Sequence, residues 1–241
     1  MQRRCVKIVA FFLLLFAFTS DIFAFSTTNI QYLYGNFSGK SGFDTVGGKN
    51  TITLEHFSTY AYGDVYGFSD YAIANDRFKN NDKSTDLYFE LSPRISLSKS
   101  TKQDLSFLFV KDIFFSGQYN RQVHKFKDYN AWMYGMGVNL SVKGFDVFGL
   151  NFYKKDKNLG NDTYQVTANY TSNNIFNTQF TINGFTDWTT LDILSQNKLL
   201  YKLDYSPLQS KIYVGVEWHY YKVKNSNIQS NVPQAMIMLA W

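Results

Sequence analysis

Cysteine and proline are nearly absent from this chain. Its 241 residues include one cysteine, Cys5, and three prolines. A single cysteine cannot form an internal disulfide or a cysteine-based zinc site, although small exported domains often depend on disulfides. The sequence therefore excludes a disulfide scaffold, and something else must stabilise the fold.

Long apolar runs are also missing, with one exception near the N-terminus. Residues 8–18 are apolar, which is shorter than the roughly 20 residues a spanning helix needs. Arg3, Arg4 and Lys7 precede this run, and Ala24 offers a cleavage site. We therefore predict a signal peptide over residues 1–24 and a mature domain over residues 25–241. The alternative is an uncleaved membrane anchor. A helical membrane domain is excluded.

Charge of either sign is not concentrated anywhere in the sequence. The net charge of the whole chain is +5, and its basic residues are scattered. Nucleic-acid binding therefore has little support, since it depends on clustered lysine and arginine.

Aromatic residues, by contrast, are abundant. The chain has 23 Phe, 18 Tyr and 4 Trp, and many of its segments alternate between large and small or apolar and polar residues. Residues 132–140 and 164–170 do so without interruption, which is typical of strands. About twelve strands are expected, near residues 29–34, 51–57, 64–73, 87–97, 105–115, 132–140, 145–153, 164–170, 176–185, 198–205, 212–221 and 233–241. Turn-forming residues separate them at 39–42, 47–50, 80–83, 158–162 and 225–227.

These strands carry apolar residues on one face and polar residues on the other. An even number of such strands, closed into a ring, leaves no backbone group unpaired in lipid. We therefore predict an all-β fold, a transmembrane antiparallel β-barrel of about 12 strands in the cell outer membrane. Residues 235, 237, 239 and 241 alternate toward a terminal aromatic, Trp241, which resembles the end of outer-membrane barrels. The alternative is a secreted β-sandwich that binds a ligand.

One proline interrupts the predicted strand 87–97. Pro93 cannot donate a ladder hydrogen bond, so a bulge or irregular pairing is expected there. The residue after it, Arg94, would point into the lumen.

Catalytic and metal-binding patterns are not recognisable. The three histidines, His56, His124 and His219, have no nucleophile motif or metal-ligand spacing around them. We expect no enzyme activity, no cofactor and no metal.

The candidate solute-binding residues are polar or aromatic side chains on the face opposite the apolar stripe. Charges that face lipid cost about 2–4 kcal/mol at mid-bilayer, so these should face the lumen. They are Glu55, Tyr88, Glu90, Arg94, Lys202, Asp204, Tyr213, Glu217 and His219. The tyrosines offer a stacking surface for a nucleobase. The alternative is that these side chains only fill the interior and balance one another's charge.

Several segments resemble the Tsx-like family of nucleoside-specific outer-membrane channels. They are residues 50–56, 62–64, 86–97, 134–137, 184–188 and 232–235, and the block from Glu90 to Arg94 is the most specific. The resemblance implies a narrow twelve-stranded monomeric barrel that passes nucleosides by diffusion. It also implies that members serve as receptors for phages and colicins.

The expected function is therefore passive, substrate-selective diffusion of nucleosides or similar small polar solutes. The expected partners are such a solute, outer-membrane lipid and the barrel assembly machinery, the last recognised through Trp241. The alternative within the same fold is a surface-recognition barrel with a plugged lumen.

Overall fold

The described part of the chain folds as a closed antiparallel barrel of twelve strands. The computed structural model describes residues 25–37, 45–76, 83–124, 127–205 and 210–241. Each strand pairs with its neighbours in the chain, and the first strand pairs with the last. The predicted fold class is confirmed. The predicted signal peptide, residues 1–24, lies outside the described residues.

The strands differ in length, from ten to sixteen residues. They are β1 (Phe25–Phe37), β2 (Thr45–Tyr60), β3 (Gly63–Asp76), β4 (Lys83–Ser96), β5 (Val110–His124), β6 (Lys127–Leu140), β7 (Val147–Lys157), β8 (Thr163–Ser172), β9 (Phe180–Thr189), β10 (Asp192–Lys202), β11 (Lys211–Val223) and β12 (Gln229–Ala240). A short helix, α1 (Leu97–Thr101), and a 3₁₀ helix (Ile175–Asn177) lie between strands. Neither helix in this part of the chain is long and apolar enough to cross a membrane.

Alternation along each strand determines which side chains face inward. In β1 the side chains of Gln31 and Leu33 are buried, whereas Ile30, Tyr32 and Tyr34 are exposed. A shift of one residue would exchange the two faces, so this pattern fixes the register of the strand. Exposed aromatic and aliphatic side chains follow the same rule on the other strands and form the outer surface.

Polar side chains interrupt that apolar surface on the outer faces of β8, β9 and β10. The Tyr170 hydroxyl donates to Asn197 Oδ1, and Asn197 Nδ2 donates to Ser195 Oγ at 2.9 Å. Ser195 Oγ in turn lies 2.8 Å from Thr186 Oγ1. Because the four groups bond to one another, they meet the requirement that polar groups facing lipid be paired.

Three predicted strands have other boundaries in the structure. The segment 105–115 becomes strand only at Val110, because α1 and a loop with left-handed residues at Lys102 and Leu108 come first. The segment 176–185 begins in the 3₁₀ helix, with left-handed backbone at Phe176, and β9 starts at Phe180. The segment 198–205 belongs to β10, which ends at Lys202.

The predicted turn at residues 47–50 is wrong, since these residues lie inside β2. Gly47 has φ of 79°, and the pairing of β2 with β3 shifts between Val46 and Lys49. A glycine in left-handed backbone is a common way to make such a bulge. The turns at 158–162 and 225–227 are confirmed. The turn at 39–42 and residues 80–82 lie outside the described residues.

Pro93 has the irregular pairing that its missing donor predicts. The partners of β4 and β5 run from Asp86–His124 to Leu91–Tyr119 and resume at Arg94–Ser116 without a shift in register. Pro93 is exposed on the outer face, and Arg94 beside it is buried.

Candidate functional site: the lumen

A carboxylate on β2 is the centre of a polar cluster in the described lumen. Glu55 Oε1 accepts a hydrogen bond from Asn29 Nδ2 at 3.1 Å. Its Oε2 accepts from Gln31 Nε2 and from the Tyr66 hydroxyl, each at 3.2 Å. These donors stand on β1 and β3, the two strands that flank β2. The wall of the barrel therefore holds Glu55 from both sides.

A lysine from a distant strand completes this cluster. Lys198 Nζ lies 3.3 Å from Glu55 Oε2 and 4.0 Å from Glu217 Oε2. Lys198 stands on β10, and the ring order places β11, β12 and β1 between it and Glu55 on β2. The ion pair therefore crosses the lumen, and we refer to it as the cross-lumen bridge. At its other end, Gln234 Nε2 donates to Glu217 Oε1 at 2.9 Å.

Aromatic rings line the inner wall next to this bridge. The ring centroids of Tyr66 and Phe68 are 6.0 Å apart, and those of Phe68 and Tyr88 are 5.6 Å apart. We refer to these three residues as the inner aromatic row. The Tyr66 hydroxyl donates to Glu55, and the Tyr88 hydroxyl donates to Glu90 Oε2 at 3.2 Å. Each end of the row therefore has a carboxylate beside it.

A second polar group lies on β7, β8 and β9. Thr167 Oγ1 donates to Asp187 Oδ1 at 2.6 Å, and Gln165 Nε2 donates to Thr167 Oγ1 at 2.9 Å. Lys155 Nζ donates to Gln165 Oε1 at 2.7 Å. Asp187 stands on β9, and its partners Thr167 and Gln165 stand on β8. The inner faces of β7, β8 and β9 therefore also carry linked hydrogen-bonding groups.

Not all of the inner wall is polar. Leu33, Leu200, Met236 and Met238 are buried together on the inner faces of β1, β10 and β12, and Tyr213 packs against them. We refer to the four residues as the inner apolar cluster. This part of the inner wall is therefore apolar, in contrast to the polar cluster around Glu55.

Arg94 forms a different ion pair, between neighbouring strands. Its Nε and Nη2 donate to the two carboxylate oxygens of Asp64, each at 2.8 Å. Its Nη1 donates to Asn139 Oδ1 at 3.1 Å, and its guanidinium carbon lies 4.2 Å from the centroid of the Phe114 ring. Both charged partners are buried. This pair lies along the wall, and we refer to it as the wall pair.

The remaining predicted site residues occupy varied positions. His219 is buried, with its ring centroid 5.5 Å from that of Phe37. Lys202 is the last residue of β10 and is exposed. Asp204 lies beyond the strand, where it accepts a hydrogen bond from Gln179 Nε2 at 2.6 Å. Lys202 and Asp204 therefore do not join the cluster around Glu55.

Sequence reasoning brought Glu55, Glu217 and Glu90 to the lumen but missed Lys198 and Asp187. Lys198 lay within the expected strand 198–205, whereas Asp187 lay two residues beyond the end of the expected strand 176–185. Lys198 has the same parity as Lys202, so the alternation that selected Lys202 also pointed to Lys198. Within the described residues, no group of three or more histidine, cysteine or acidic side chains is arranged to hold a metal ion.

Comparison with known proteins identifies the family. Residues 25–236 match the family described as "Nucleoside-specific channel-forming protein, Tsx". The chain belongs to this family. It is 26% identical over 166 residues to an outer membrane protein, OmpK, of Vibrio parahaemolyticus, with 65% of this chain and 61% of OmpK aligned. It is 30% identical over 115 residues to Tsx of Salmonella typhimurium, with 44% of this chain and 40% of Tsx aligned.

The alignments thus span about 40 to 61% of these curated relatives. Two solved structures resemble the barrel: the KdgM porin, with a TM-score of 0.47, 15% identity and 88% and 98% of the two chains covered, and a BenF-like porin from Pseudomonas fluorescens, with a TM-score of 0.42, 8% identity and 93% and 99% covered. Family membership makes this chain an outer-membrane protein of a channel family rather than an enzyme.

Proposed function

We propose that this protein is a passive channel that admits nucleosides to the polar side of its lumen. The observation that carries the proposal is the inner aromatic row with a carboxylate at each end. A nucleoside has a flat base and a ribose rich in hydroxyls, and the row offers rings for the first and acceptors for the second. Stacking on one aromatic side chain contributes about 1–3 kcal/mol per base.

Diffusion through such a row needs no cofactor and no energy source. Contacts must favour entry yet remain weak enough to release the solute at the next position. Tyr66, Phe68 and Tyr88 are spaced so that a base can pass from ring to ring. Glu55, Tyr88, Glu90 and Glu217 are the proposed solute contacts among the residues expected from sequence. Arg94 and His219 are held by their own partners and are proposed to shape the wall.

Liposome uptake compared among nucleosides, free bases and sugars tests this proposal. We expect nucleosides to enter faster than sugars and, at millimolar concentration, to block the ion conductance of the protein in planar bilayers. Tyr88→Ala should raise the blocking concentration about 5- to 150-fold, which is the stacking energy expressed as a binding ratio.

The matched control removes a tyrosine from the outer surface. Tyr134 is exposed on the outer face of β6, so Tyr134→Ala should leave the block unchanged. The proposal fails if nucleosides neither enter liposomes nor reduce the conductance of the wild-type protein.

A second function is favoured by one observation. The inner apolar cluster is packed inside the barrel, and packed interior side chains are expected of a surface-recognition barrel with a plugged lumen, the type that phages and colicins use as receptors. A wild-type protein that inserts into bilayers but conducts no ions would support this function and exclude the channel.

The proposal also covers export and assembly. Residues 1–24 would be removed as a signal peptide, the barrel assembly machinery would recognise Trp241, and the mature barrel would act as a monomer surrounded by lipid. Trp241 is exposed, and its backbone exchanges hydrogen bonds of 2.9 Å with Thr28 on β1. The terminal residue therefore stands at the seam where the barrel closes.

A further inference from the structure

We propose that the cross-lumen bridge narrows the lumen beside the inner aromatic row and determines which ions the channel prefers. The inference rests on the channel part of the proposed function, but not on nucleosides being the solute. It assigns to Lys198 a role in size and charge selection.

The two ends of the bridge are held differently. Glu55 has three donors from the adjacent wall besides Lys198, namely Asn29, Gln31 and the Tyr66 hydroxyl. Lys198 reaches it from β10 on a long, flexible side chain. The acceptor is therefore fixed, and the lysine is the member of the pair that can swing away.

The bridge also connects two unlike parts of the inner wall. The inner apolar cluster is buried on the inner faces of β1, β10 and β12, and its Leu200 lies two residues from Lys198 on the same face of β10. The inner aromatic row begins at Tyr66, whose hydroxyl shares the Glu55 oxygen that Lys198 approaches. A solute that contacts the Tyr66 end of the row therefore comes close to the Lys198 ammonium group.

Charge balance around the cross-lumen bridge explains the expected ion selectivity. Lys198 is the cation that lies between the carboxylates of Glu55 and Glu217. Without it, two carboxylates face the passage with reduced compensation, and acidic side chains that line a pore favour cations. The alternative, that Lys198 only fills space, predicts no change in ion preference when its charge alone is removed.

Two substitutions separate the effect of the size of the Lys198 side chain from the effect of its charge. Lys198→Ala removes both, so we expect single-channel conductance to rise at least about two-fold and the reversal potential in a salt gradient to shift toward cations. Lys198→Met keeps a side chain of similar length without the charge. It should show the same direction of shift in reversal potential with a smaller rise in conductance.

The control removes a lysine from the outer surface. Lys154 is exposed on β7 and pairs with Asp156 at 3.2 Å, and Lys154→Ala should leave both measurements at their wild-type values. Heat-modifiable migration on gels confirms that each variant is folded, and Lys198→Met supplies the test if Lys198→Ala does not insert.

The outcomes distinguish this inference from the proposed function. If the folded Lys198 variants keep the wild-type conductance and reversal potential, the bridge does not select by size or charge, even where nucleosides still block the channel. If the conductance and reversal potential of the Lys198 variants change as expected while nucleosides neither block nor enter, that result supports the role of the bridge and contradicts nucleoside transport.

Discussion

Two of the buried or nearly buried ion pairs in the described part of the barrel are built in opposite ways. In the wall pair, Arg94 and Asp64 stand on the neighbouring strands β3 and β4 and share two hydrogen bonds of 2.8 Å. In the cross-lumen bridge, Lys198 and Glu55 stand on strands that are not neighbours and share one contact of 3.3 Å. The wall pair joins surfaces that the backbone already holds together. The bridge spans a space that the backbone leaves open.

This difference indicates separate roles for the two pairs. A planar guanidinium with two bonds to one carboxylate has a defined geometry, which suits a fixed part of the wall. A lysine ammonium is a point charge on a flexible stem, which suits a group that must yield to a passing solute. The wall pair should therefore control stability, and the bridge should control permeation.

The largest expected effect comes from breaking the wall pair. Arg94→Ala leaves the buried Asp64 carboxylate without its partner, which should cost about 3–5 kcal/mol of unfolding free energy. Urea unfolding in lipid vesicles, followed by tryptophan fluorescence, measures it. Lys198→Ala should lose less than half as much, because Glu55 keeps its other three donors. Equal losses in the two variants would show that the pairs do not differ in role.

A smaller effect should follow when the charge is kept and its shape is changed. Arg94→Lys cannot form both bonds to Asp64, so we expect a loss of about 1.5–3 kcal/mol in the same unfolding assay. Lys198→Arg should keep single-channel conductance within about two-fold of the wild-type value, because the bridge requires a positive charge more than a defined geometry. If Arg94→Lys is as stable as the wild type, the wall pair does not depend on the geometry of its two hydrogen bonds.

The smallest effect is expected at an exposed pair. Arg121 Nη2 lies 3.1 Å from Asp128 Oδ2, with the two side chains 39% and 60% exposed. Arg121→Ala should change the unfolding free energy by less than about 1 kcal/mol, since solvent screens such a pair. A loss as large as that of Arg94→Ala would mean that burial is not what makes the wall pair matter.

Alternation in the sequence was sufficient to predict the barrel and the inward direction of most polar candidates. Glu55, Glu90, Arg94 and Glu217 share the parity of buried neighbours, and the period of two is a local property that a single strand displays. The irregular pairing at Pro93 was likewise predictable, because a missing backbone donor affects the pairing of the strand that contains it.

Contacts across the lumen were not predictable in this way. Lys198 and Glu55 are 143 residues apart, and their meeting depends on the closed order and relative stagger of all the strands between them. Strand ends were the other difficulty. Asp204 had the right parity, but β10 ends at Lys202 and parity has no meaning beyond the strand. The bulge at Gly47 looked like a turn because both structures use the same residues.

The unequal strand lengths have a consequence for how a solute approaches the barrel. β2 has 16 residues, whereas β8 and β9 have 10 each. At about 3.3 Å per residue and a tilt near 40°, that contrast corresponds to roughly 15 Å of height along the bilayer normal. The wall of paired strands is therefore taller at β2 than at β8 and β9. A molecule that approaches the barrel meets a wall whose height changes around the ring.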